Sequence, residues 1–163
     1  CERLTQLLGR SVRLPTEAEW EGFCRAGTNT RWSCGDSEEE LAGCAWYADS
    51  IEQTTGGPQP VGRLQPNALG LYDLHGNVFE WCEDWYVANY YQTSPEQDPR
   101  GPAMPQPPSG GGDPARRVLR GGSWARNAQT CASSFRYALP ENHADAQTGL
   151  RIVVEVEAAV AGG

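Results

Sequence analysis

Lysine is absent from this chain. All 13 basic residues are arginine, set against 21 acidic ones, for a net charge of −8. A lysine-free composition is best read as the base composition of a genome, although arginine offers bidentate, stackable contacts that lysine cannot make. The acidic balance argues against nucleic acid as a partner, because phosphate binding rests on concentrated positive charge. No apolar run approaches the roughly 20 residues that cross a bilayer, so the chain offers no transmembrane segment. There is no CxxC, no HxxxH and no Cys/His cluster, which leaves a zinc site without support. The only two histidines, His75 and His143, lie far apart and lack ligand spacing. No Walker loop, GxSxG or dinucleotide fingerprint is present. A signal peptide and an initiator methionine are also missing, and the chain opens at Cys1 inside a helical pattern, as expected of a processed or truncated product.

What is present describes a loop-rich globular chain of one-domain length. Its 163 residues include 19 Gly, 12 Pro, 6 Trp and 6 Tyr. Large rings can organise a core where regular elements are scarce. The six cysteines leave the compartment open, with an extracytoplasmic location favoured. Cys34 and Cys44 flank one acidic loop and are the preferred disulfide pair; the others read equally well as reduced buried thiols.

Along the chain, residues 1–9 predict the end of an amphipathic helix with Leu4, Leu7 and Leu8 on one face and Gly9 as its stop. A second helix is better signalled: Thr16 as N-cap, Glu19 completing a capping box, Trp20, Phe23 and Cys24 on one face, and Gly27 at the end. From Thr28 to Gly70 turn signals dominate, with Trp32, Trp46 and Tyr47 expected to pin the loops, and the run Glu38-Glu-Glu40 expected on solvated surface. The alternation from Asn77 to Trp85 predicts a strand with rings buried on one side and carboxylates presented on the other. Strand geometry prevents Glu80, Glu83 and Asp84 from sharing one face. Residues 87–116 predict a surface loop, Pro- and Gly-rich in its later part, of which 95–115 would wrap a partner, since ordering it alone costs entropy without burying much. Val118–Trp124 returns to strand character, 125–148 is irregular, and 150–157 reads as a closing strand.

Three blocks occur in order: Arg13-Leu-Pro-Thr-Glu-Ala-Glu-Trp20, Gly70-Leu-Tyr-Asp-Leu-His-Gly-Asn-Val-Phe-Glu-Trp-Cys-Glu-Asp-Trp85 and Arg117-Val-Leu-Arg-Gly-Gly-Ser-Trp124. Together they closely resemble the formylglycine-generating enzyme, or sulfatase-modifying factor, family, over most of residues 1–156. The resemblance implies an α+β, loop-rich variant of the C-type lectin-like fold, with residues 1–163 forming the C-terminal portion of a longer family domain. The family's N-terminal portion precedes the position matching Cys1. Without it, the closing strand is expected to lack its usual partner, leaving an open edge or a substitute from elsewhere.

The resemblance also nominates chemistry. Family members can hold Ca²⁺ through positions matching Asp73 and Glu80, by side chain, and Gly76 and Val78, by backbone oxygen; hard oxygen donors suit that ion. The plainer reading has Asp73 capping a turn and Glu80 paired with an arginine. Formylglycine-generating enzymes use two cysteines, five residues apart after Gly-Gly-Ser, to bind copper and oxidise a substrate cysteine with O₂. Here the first position is Arg126 and the second Cys131. A lone thiol cannot supply two-thiolate copper ligation, so neither copper nor that reaction is expected. Related sulfoxide synthases bind iron in a separate N-terminal domain, so iron is not expected either. The 125–148 stretch resembles the variable region of retroelement-diversified proteins built on the same scaffold. That likeness nominates Arg126, Asn127, Thr130, Phe135, Tyr137, Leu139 and His143 as ligand contacts, a mixture suited to an adaptable surface. The leading expectation is a non-catalytic binding or assembly module with a protein partner; the rival is the C-terminal part of an oxygen-dependent oxidative enzyme, with Cys131 as its one candidate catalytic residue.

Overall fold

The computed structural model describes residues 1–50, 56–103 and 115–156. Its centre is a four-stranded mixed sheet in the order β6-β5-β4-β7, made of β4 (Phe79–Trp85), β5 (Arg116–Arg120), β6 (Tyr137–Pro140) and β7 (Thr148–Leu150). β5 runs antiparallel to both β4 and β6, whereas β7 lies parallel to β4. Two short ladders flank it. β1 (Val12–Arg13) pairs antiparallel with β8 (Val153–Val154), and β2 (Ala45–Trp46) pairs parallel with β3 (His75–Gly76).

The helices follow from their caps. In α2 (Glu17–Arg25) the Thr16 hydroxyl accepts from Glu19 N–H while the Glu19 carboxylate accepts from Thr16 N–H, the expected reciprocal box. Arg13 holds that same carboxylate at 2.6 Å. The helix ends one residue early, with Ala26 at φ 49° and Gly27 at φ 88° making the left-handed exit. Trp20 and Cys24 are fully buried, but Phe23 is 37% exposed and does not join them. A nine-residue helix rolled onto a narrow sheet buries a thinner stripe than its sequence offers. α1 (Glu2–Leu8) forms as expected and leaves Leu4, Leu7 and Leu8 in solvent. The acidic run 38–40 is exposed but helical, because Ser37 and Glu40 form a second capping box at the start of α3 (Glu38–Ala42).

Two apolar clusters fill the interior. One joins Trp20 and Cys24 to Leu74, Cys82 and Val118 beneath the sheet. The other joins Trp32, Leu41, Ala45 and Tyr47 to Ala128 and Cys131, so Trp32 and Tyr47 do pin the loops; Trp46 is also buried. Cys34 and Cys44 are disulfide-bonded beside this second cluster. Rings of this size each remove roughly 150–250 Å² from water, the main apolar contribution in a chain with little helix.

Two expectations change. In β4 the buried face carries Glu80, Cys82 and Asp84, while Trp81 and Trp85 are only half-buried and Glu83 is exposed. The alternation is right and its polarity is reversed, because the two carboxylates meet partners inside. The closing segment, meanwhile, finds partners: residues 148–150 add to β4, and Val153–Val154 pair with β1. Residue 157 of the expected closing strand, and 104–114 of the Pro-rich loop, lie outside the described residues.

Candidate functional site

The 125–148 surface is held from below by an ionic core that sequence reading missed. Arg120 is fully buried; it meets Glu17 at 3.3 Å, also pairs with Glu21, and donates to the carbonyls of Ser133 (2.6 Å) and Phe135 (2.9 Å). Arg136 clamps Glu17 through two bonds of 2.6 and 2.8 Å and lies between the rings of Tyr86 and Tyr91. Fork-shaped guanidinium groups suit such bidentate, stacked positions. These bonds fasten residues 133–136 to α2, and so place the start of β6.

Upstream, the Gly121-Gly122 turn sets the approach. Both residues have positive φ, and a Cβ at Gly122 would fall 2.6 Å from Cys131 Sγ. Only glycine fits there. The chain then exposes Arg126. Asn127 caps the 3-10 turn Ala128–Cys131 by accepting from Thr130 N–H, and the Thr130 hydroxyl donates back to the Asn127 carbonyl at 2.8 Å. Each of these side chains thus bonds the other residue's backbone. Arg126 Cζ stands 5.9 Å from the Tyr137 ring, which stacks on Phe79 at 4.9 Å. Leu139 follows two residues along β6 on the same face. Phe135 is half-buried at the strand entrance. His143 is separate, at 3.0 Å from Asp145. The structure thus brings Arg126 and Tyr137 together, with Leu139 two residues along the same strand and His143 bonded to Asp145.

Cross-strand register extends that face. Leu139 lies opposite Arg117, and Arg117 opposite Trp85; Tyr137 lies opposite Leu119, and Leu119 opposite Trp81. Arg117 Cζ sits 3.5 Å from the centroid of the Trp85 ring. Beyond it opens a groove of about 880 Å³ lined by residues that include Arg13, Trp81, Glu83, Arg117, Glu141 and Leu150. Arg117, Trp85 and Trp81 were not among the sequence candidates, since their membership depends on strand register.

Cys131 is fully buried, and burial pushes its thiol up to about 12. A neutral, enclosed thiol is a poor nucleophile. Cys82 packs apart from it, in the cluster around Trp20. Among the described residues no group of three or more His, Cys, Asp or Glu is arranged to hold a metal.

Of the calcium candidates, Asp73, Val78 and Glu80 line one cavity of about 370 Å³, whereas Gly76 lies in the β2–β3 ladder. Glu80 is 6% exposed, and both its oxygens are engaged: Arg151 binds them at 2.9 and 3.0 Å, and Trp20 Nε1 donates at 2.7 Å. Asp73 accepts from Gly62 N–H at 2.8 Å. Burial raises the Glu80 carboxyl and Arg151 opposes that rise. The donor types suit a hard cation, and Arg151 already stands as the neighbouring positive charge.

Comparison with known proteins adds the lineage. The family described as "Sulfatase-modifying factor enzyme 1-like domain" matches residues 2–156. The formylglycine-generating enzyme of Streptomyces coelicolor is 36% identical over 148 residues, covering 84% of this chain and 44% of that protein. Serine/threonine-protein kinase pkn1 of Chlamydia caviae is 40% identical over 115 residues, 69% of this chain but 16% of the kinase. Among solved structures, Treponema denticola variable protein 1 superposes with a TM-score of 0.75 at 39% identity, covering 88% of this chain and 47% of that one. The chain thus spans less than half the length of each of these proteins. It belongs to the sulfatase-modifying factor family and carries that family's C-type lectin-like scaffold.

Proposed function

We propose that this chain is a non-catalytic binding or assembly module whose contact surface lies within residues 125–148, centred on Arg126, Tyr137 and Leu139. The observation that carries this reading is the exchange of a thiol for an arginine. Where the family's first reactive cysteine would stand, Arg126 points outward over Tyr137, while Cys131 is sealed. An exposed arginine beside a stacked tyrosine has the composition of an interface hot spot. The likeness to a protein named as variable supports a display role, and the match inside a much longer kinase supports use of the scaffold as a module.

The test is co-purification of a tagged protein from its source cells, with Arg126→Glu as the variant. Loss of the captured partner by tenfold or more, about 1.4 kcal/mol, with an unchanged melting temperature is the expected result. Unaltered capture would move the surface elsewhere.

Identity to a formylglycine-generating enzyme sustains the second reading, part of an oxidative enzyme. Stoichiometric copper or iron in the purified protein, with O₂ uptake on a thiol peptide, would establish it against ours; neither is expected. Calcium at Asp73, Gly76, Val78 and Glu80 enters as a structural accessory. Binding to the folded state alone raises the melting temperature, so a rise of a few degrees in millimolar Ca²⁺ over EDTA is the expected sign. A flat response would leave Arg151 as the site's resident cation.

A further inference from the structure

The groove of about 880 Å³ beyond Arg117 is charge-balanced. Its lining sets Glu2, Glu83 and Glu141 against Arg3, Arg13 and Arg117, a sum of zero in a chain that carries −8. The rest of the chain therefore holds the whole acidic excess. Two copies that meet elsewhere bring negative surface against negative surface, a repulsion felt over about 8 Å at physiological salt. At the groove each sign can find its opposite.

Most of these charges are free to do so. Glu2, Arg3 and Glu83 are exposed. Glu141 is exposed too, and meets Arg117 at 3.6 Å, beyond hydrogen-bond reach. Arg117 keeps its place through the Trp85 ring and the Glu83 carbonyl rather than through that carboxylate. Arg13 is committed to Glu19 and Glu155. Between the charges lies an apolar step. Trp81 is the register partner of Leu150 across β4 and β7, which sets a half-buried indole beside an exposed leucine.

This pattern selects an occupant. A strongly basic segment, which the acidic surface attracts elsewhere, meets three arginines here, and an acidic one meets three glutamates. A patch with both signs in equal number matches itself, because a two-fold axis makes every Arg–Glu contact twice.

We propose that the groove is the interface of a symmetric dimer of this chain, with Trp81 and Leu150 buried against their copies and the two signs of charge interleaved around them. Arg126 does not line the groove, so dimerisation and capture of a partner through Arg126 are read by different variants.

Sedimentation equilibrium of residues 1–163 tests this. All proteins carry Cys1→Ser, since Cys1 is an exposed free thiol whose cross-linking would mimic a dimer. At about 100 µM, ample to fill an interface of micromolar affinity, twice the chain mass is expected. Glu83→Arg with Glu141→Arg makes the groove predominantly basic; Arg3→Glu with Arg117→Glu makes it predominantly acidic. Each variant by itself is expected to dimerise at least tenfold more weakly. Mixed in equal amounts, the two are expected to pair at least as tightly as the wild type. The basic variant also brings the net charge from −8 to −4, two substitutions of +2 each, which eases unspecific repulsion. Weaker association there consequently reports the groove itself. Should Arg117→Glu not fold, Arg3→Glu by itself serves as the acidic variant, with the same expectation. A monomeric wild type, undiminished association of both variants, or no recovery on mixing overturns the dimer and leaves the groove to a different partner.

Discussion

Asp84 shows at the scale of one residue what this fold tolerates inside. Its carboxyl is 3% exposed at the start of α2, where Oδ2 accepts from Glu17 N–H at 2.7 Å and Oδ1 has no partner among the described residues. Gly101 presses against it so closely that a Cβ there would fall 2.6 Å from Oδ1. Burial, the largest cause, raises this carboxyl to about 6. A raised folded value means the group favours folding fully below its ordinary 3.8, and that contribution is lost as pH climbs through 6. Asp84→Asn keeps the acceptor for Glu17 N–H and removes the charge. It is expected to stabilise the protein at pH 8 by on the order of 1–2 kcal/mol, with the gain gone at pH 4, read from urea midpoints. Burial pushes Glu80 upward too, but there Arg151 opposes the rise. Arg151→Met leaves a buried carboxylate unpaired and is expected to cost roughly 3 kcal/mol at pH 7 in the same assay.

Elements show which parts of the architecture were legible and which were not. The α2 start was readable, because Thr16 and Glu19 settle it by local bonds. The Gly121-Gly122 turn ends β5 at Arg120, short of the Trp124 to which strand character was expected, and Gly122→Ala tests it. Positive φ and the contact with Cys131 Sγ together predict a loss of roughly 3 kcal/mol or more, seen as a fall in thermal midpoint. The facing of β4 was not readable. Alternation states which residues share a side, but the inward side is chosen by partners distant in sequence: Arg151 for Glu80 and the α2 amide for Asp84. The same limit applies to the candidate surface. Arg126, Tyr137 and Leu139 could be nominated from the chain, whereas Arg117 and Trp85 join them only once β4, β5 and β6 are in register. Asn127 and Thr130, nominated as contacts, also cap a 3-10 turn through each other's backbone, a role that spacing alone did not announce.

At the scale of the molecule, the sheet is covered on one face and only partly covered on the other, where Leu119 is buried. α2 packs on the inner face, while Trp81, Trp85 and Leu139 are half-buried on the outer one and Leu150 is 63% exposed. α1 adds Leu7, 72% exposed. Apolar surface of this extent promotes association. Residues 1–163 alone are expected to bind a hydrophobic dye and to self-associate at high concentration, and Leu7→Glu with Leu150→Glu is expected to cut both severalfold by fluorescence and sedimentation. The contact between the 31–36 loop and the 128–133 loop has an optical consequence. Trp32 is 1% exposed, bonded to the Ala128 carbonyl, with Arg31 Cζ 5.3 Å from its ring. A dry indole emits at short wavelength and shifts to longer wavelength on wetting, so the difference spectrum between wild type and Trp32→Phe isolates one native chromophore. The protein thereby carries its own gauge of whether the two loops are joined, readable in dilute solution without a label.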